Sequence, residues 1–151
     1  MPHALLLKYP GTNCDVETER ALRTVGFSTQ VQPIATAAPE HVAKSQLVVI
    51  SGGFSYGDYV TSGRLAQLET ERFLGDALQR HHAGGGMLLG ICNGFQALVK
   101  SGLLPYGRLG CVTKDSPTLF RNDINRHVSQ IVTTLTNTCF TSRIKGSYLL
   151  F

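Results

Sequence analysis

No apolar run in this 151-residue sequence approaches the roughly 18 to 20 residues that a membrane-spanning helix needs. The opening residues, MPHALLLKYP, have neither the charged start nor the long apolar stretch of a secretory leader. A membrane partner is therefore not expected, and the expected location is cytoplasmic. There is no Cys-x-x-Cys pair and no Cys/His group at zinc-ligand spacing. Cys14, Cys92, Cys111 and Cys139 are accordingly expected as thiols, with no metal site. Charged residues make up only 16% of the chain, for a net charge of +4. No basic run is interleaved with aromatics, which speaks against nucleic acid as a partner. Acidic residues stop at Asp123, and His127 is the only histidine beyond Cys92. Repeats and low-complexity segments are missing too.

What is present is material for a core. A hydrophobic content of 42% is that of a globular protein, and a chain of this length suits one domain burying roughly two-thirds of its unfolded surface. A single domain over residues 1–151 is the expectation. Short apolar runs at 4–9, 29–34, 47–50 and 87–91 read as strands. Segments 16–25, 65–82 and 93–100 read as helices, the first capped by Asn13 or Asp15 and stopped by Gly26. Strands alternating with helices predict an α/β fold, an open and mostly parallel sheet with helices on both faces. Residues 103–107 read as a turn, 128–135 and 147–151 as β-leaning runs, and the adjacent His81 and His82 as a solvated pair.

In such a sheet, ligands bind outside the carboxyl ends of the strands. Two loops there carry chemistry, 51–59 and 90–94, and they are expected to face one crevice. The second is the more informative. In Gly90-Ile91-Cys92-Asn93-Gly94 an apolar strand stops, turns through a cysteine between two glycines, and continues as a helix. That is the pattern of a nucleophile elbow, in which a strained residue presents its side chain at the end of a sheet. The following helix aims its N-terminus at Cys92, and a helix N-terminus favours a thiolate over a thiol. A small buried hydrophobe is the other fate of such a cysteine.

The first loop, Gly52-Gly53-Phe54-Ser55-Tyr56-Gly57-Asp58, lacks the ending of a P-loop and the spacing of a dinucleotide motif. Its glycines allow a simple turn, or a backbone whose N–H groups face the thiol. In the second case the amides of Gly53 and Asn93 form an oxyanion hole.

Taken together, GICNGFQ at 90–96 and GGFSYGDY at 52–59 resemble the class I (triad) glutamine amidotransferases. Within them the resemblance is to the glutaminase part of phosphoribosylformylglycinamidine synthase. PGTNCD at 10–15 and RND at 121–123 are similar to further segments of that family. The resemblance implies a flavodoxin-like sheet, Cys92 as nucleophile toward glutamine, Gly53 and Asn93 as oxyanion donors, and Gly52 and Gln96 at the glutamine pocket. Gln96 has a structural reading as well, a side chain bonding a nearby loop. The implied partner is a formylglycinamide ribonucleotide synthetase, which would carry the ATP and Mg, so no cofactor is expected in this chain.

The family completes its triad with His-Pro-Glu and also carries a His-Gly-Glu-Gly segment, neither of which occurs here. The expectation is a fold incomplete at its C-terminal end and little glutaminase activity from these residues alone. Two other classes stay open: a non-catalytic module that docks to a synthetase, and a cysteine hydrolase or redox sensor of the DJ-1 type.

Overall fold

Residues 4–7, Ala-Leu-Leu-Leu, and 47–50, Leu-Val-Val-Ile, have no polar position, as suits strands covered on both faces. In the computed structural model they lie inside the sheet. The structure describes residues 1–57, 63–119 and 123–126, with the backbone alone of Asp58 and of 148–150. Strands β1 (His3–Lys8), β2 (Ser28–Pro33), β3 (Leu47–Ile50), β4 (Met87–Gly90) and β5 (Tyr148–Leu150) stand in the order β2-β1-β3-β4-β5. Every neighbouring pair is parallel. Between the strands come helices α1 (Asp15–Thr24), α2 (Pro39–Ala43) and α3 (Arg64–Ala83), and β4 is followed by α4 (Asn93–Ser101) and α5 (Leu103–Tyr106).

Successive strand residues point to opposite faces, and this divides the core in two. Leu5, Leu7, Val48, Ile50 and Leu88 pack against Val42 of α2, Leu74 and Leu78 of α3, and Leu98 of α4. Ala4, Leu6, Leu47 and Val49 pack on the other face with Leu22 of α1. The expected α/β sheet with helices on both faces is what the structure has. Register then positions the site. Ile50 pairs with Gly90, so the chains leaving β3 and β4 emerge side by side.

Several local expectations are corrected. Neither Asn13 nor Asp15 caps α1: Cys14 is the capping position, and no side chain there bonds the helix. Asp15 is instead the first helical residue, and its carboxylate accepts a hydrogen bond from Lys8 Nζ at 2.6 Å. His81 and His82 are half-buried, not solvated. The turn 84–86 folds β4 back so tightly that His81 Nε2 donates to the Met87 carbonyl at 3.2 Å. Burial holds both imidazoles below the usual histidine range, His82 also through the charge of His81. The segment after Gly102 is a short helical stretch broken at Leu104. The run 147–151 supplies β5, while 128–135, Arg121, Asn122 and His127 lie outside the described residues.

Candidate active site

The ladder between β3 and β4 runs one step past Gly90, with the Ile91 N–H donating to the Ile50 carbonyl at 3.1 Å. The chain then turns: the Gly94 N–H donates to the Ile91 carbonyl at 2.9 Å and the Gln96 N–H to the Cys92 carbonyl at 3.1 Å. Cys92 stands between them at φ 51° and ψ −110°. A side-chain-bearing residue reaches that conformation at a cost of about 1–3 kcal/mol, so the surrounding packing has to impose it. Gly94 is where it does. A Cβ at that position would lie 1.9 Å from the Ile50 carbonyl oxygen. Only glycine lets α4 start this close to β3, and that closeness forces the reversal at Cys92. The cysteine is exposed while Asn93 and Gly94 behind it are buried.

Leaving β3, the chain passes Gly52 directly beside Cys92. A Cβ on Gly52 would lie 3.3 Å from the Cys92 Cβ and 3.9 Å from the Cys14 Sγ. Gly53, at φ 130°, turns the other way, its Cβ position facing the Asn13 backbone N at 2.8 Å. There it pairs with Thr12 in an antiparallel bridge. The Phe54 N–H donates to the Gly11 carbonyl at 3.3 Å and the Tyr56 N–H to the Pro10 carbonyl at 2.7 Å. Ser55 Oγ donates to Asn93 Oδ1, and Asn93 Nδ2 donates to Gln96 Oε1 at 3.2 Å. Farther along, Tyr56 gives its hydroxyl hydrogen to Glu69 Oε2. Burial first, then the Glu69 carboxylate, pushes that phenol above the usual tyrosine range. Loops 10–15, 52–58 and 91–93 are thus tied into one rim at the carboxyl end of β1, β3 and β4.

The structure places Gly52 against Cys92 and links Asn93 onward to Gln96. Gly53 follows Gly52 in the same loop, with its Cβ position toward Asn13. The hydrogen bond that Gln96 accepts from Asn93 lies within the first turn of α4. Sequence reasoning missed Ser55, Asn13 and Cys14. Ser55 and Cys14 sat inside motifs already marked, but a hydroxyl or thiol in a loop has no spacing that announces its partner. Among the described residues, no three His, Cys, Asp or Glu side chains are grouped to hold a metal ion, and no helix is long and apolar enough to cross a membrane.

The chain was compared with known proteins. It is 46% identical over 103 residues to the phosphoribosylformylglycinamidine synthase subunit PurQ of Dehalococcoides mccartyi, covering 67% of this chain and 40% of that one. The subunit of the same name from Bradyrhizobium diazoefficiens is 44% identical over 104 residues, covering 68% and 42%. The matched part therefore spans about two-fifths of these curated relatives. Among solved structures, PurLQS from Thermotoga maritima superposes with a TM-score of 0.60 at 34% identity, covering 68% of this chain and 45% of that one. Residues 1–150 match the CobB/CobQ-like glutamine amidotransferase domain. By that match across nearly its whole length, the chain belongs to the CobB/CobQ-like glutamine amidotransferase family.

Proposed function

We propose that this chain is the glutaminase part of a phosphoribosylformylglycinamidine synthase, with Cys92 as its nucleophile. One observation carries the reading: an exposed cysteine held at φ 51° where β4 turns into α4, directly beside Gly52. The names of the relatives from Dehalococcoides mccartyi and Bradyrhizobium diazoefficiens support the substrate assignment. In this reading the Cys92 thiolate attacks the carboxamide carbon of glutamine, and the carbonyl oxygen takes up the negative charge. The N–H groups of Gly53 and Asn93 hold that oxyanion, a role in which each donor is worth on the order of 10² to 10³ in rate. Taking up a proton from solvent water, the nitrogen departs as ammonia and leaves a γ-glutamyl thioester, which water cleaves to glutamate and free thiol. Gly52 lets the carboxamide approach the sulfur, and Gln96 shapes the pocket from the first turn of α4. The ammonia passes to a synthetase partner that uses ATP and Mg to aminate formylglycinamide ribonucleotide.

The test is a diazo-ketone analogue of glutamine, whose diazo carbon is taken by the nucleophile with loss of nitrogen gas. One label per chain on Cys92, abolished by Cys92→Ala, is the expected outcome, and no label on Cys92 would refute the reading.

A further inference from the structure

Cys14 has no part in the chemistry proposed above, yet its sulfur and the Cys92 Cβ both lie within 4 Å of the point where a Gly52 side chain would begin. Both cysteines are exposed. The order β1-β3-β4 explains the juxtaposition: Cys14 follows β1, Cys92 follows β4, and Gly52 leaves β3 between them. Cys14 is also held firmly. Its carbonyl accepts hydrogen bonds from Thr18 Oγ1 at 2.6 Å and the Thr18 N–H at 3.2 Å. Its thiol donates to Asn13 Oδ1 at 3.5 Å. The loop carrying it is pinned to the Gly52 loop by the backbone bonds of Phe54 and Tyr56.

We infer that Cys14 is the second thiol of the site: it faces Cys92 across Gly52 and forms the wall that limits the size of the group admitted to the nucleophile. This rests on the glutamine reading only for the identity of that group. Gly52 offers no side chain, so anything that reaches Cys92 over this glycine passes the Cys14 sulfur. A larger side chain at position 14 would occupy the same space.

Two measurements test it, both in a Cys111→Ser, Cys139→Ser background. The first is dibromobimane, in which two thiolates each form a C–S bond and displace bromide, and which fluoresces once both have reacted. A bridged product joining the Cys14 and Cys92 peptides is expected, and Cys14→Ser removes it; failure to bridge overturns the juxtaposition. The second compares labelling rates in variants of position 14. Cys14→Leu should slow the glutamine diazo-ketone at Cys92 by about ten-fold or more, as expected when a bulkier side chain narrows the approach. Iodoacetamide labelling of Cys92 should change by less than about two-fold in the same variant, which shows that the elbow still forms. Cys14→Ser, which keeps the size of the side chain, should recover the diazo-ketone rate lost in Cys14→Leu. Unchanged diazo-ketone labelling in Cys14→Leu would overturn the wall. A parent chain that forms the bimane bridge but ignores the diazo-ketone would sink the glutamine reading and leave the two-thiol arrangement standing.

Discussion

Cys92 occupies a conformation that glycine adopts without strain and cysteine does not. Cys92→Gly is therefore expected to abolish labelling by the glutamine analogue while raising stability by about 1 kcal/mol, the strain relief less the entropy glycine adds to the unfolded chain. Chemical denaturation read against the parent checks the sign. A variant less stable than the parent would mean that the turn imposes no strain. Cys92 was legible from sequence because glycines at 90 and 94 imply a turn that only close packing would need. Asn93 Oδ1 and its donor Ser55 were not, since they are 38 residues apart and meet only through the register of β3 with β4. The tie between Phe54 and Gly11 is made by backbone atoms alone, which carry no residue signature.

Helix α4 depends on its distance from β3. Gly94→Ala would place a methyl carbon 1.9 Å from the Ile50 carbonyl oxygen, and neither backbone is free to give way. A loss of about 3 kcal/mol or more, or failure to fold, is expected. Gly85→Ala provides the control, since a Cβ there meets nothing within 4 Å and only its positive φ is at stake. At the junction of α3 and β4 the two histidines make stability depend on pH. Their folded pKa values lie below the unfolded one, so the unfolded chain binds more protons as pH falls below about 6.5. The contribution of the neutral imidazoles is complete above that pH and is lost as pH drops through the folded values. Thermal melts between pH 7.5 and 5 should show Tm falling, with a shallower fall in His81→Gln. An equal slope in both proteins would contradict this. Sequence reading took the pair as solvated because adjacent side chains diverge, but the tight turn at 84–86 brings the His81 ring against Gly86 and the Met87 carbonyl. α2, at five residues, was too short for any periodicity to reveal.

For the molecule as a whole, a parallel sheet covered on both faces could be read in advance because β1 and β3 are short, continuously apolar runs set between helical segments. The meeting of loops 10–15 and 52–58 could not, because it depends on which strands end up adjacent. Attack on an amide also needs a group to protonate the departing ammonia, and these 151 residues hold no His-Pro-Glu. Purified alone, the polypeptide is expected to release ammonia from glutamine at no more than about 10⁻³ of a complete triad enzyme's rate. A coupled glutamate dehydrogenase assay reads this, and turnover above that level would locate a proton donor elsewhere in the chain.

The central claim is that the turn from β4 into α4 presents Cys92 to glutamine. It is tested most directly by competition: the rate of diazo-ketone labelling at Cys92, followed by peptide mass spectrometry, with and without L-glutamine. The account predicts that L-glutamine slows labelling of Cys92 in a saturable way, that D-glutamine does not, and that Cys111 is unaffected by either. Labelling that is indifferent to L-glutamine, or spread equally over Cys92 and Cys111, would contradict it.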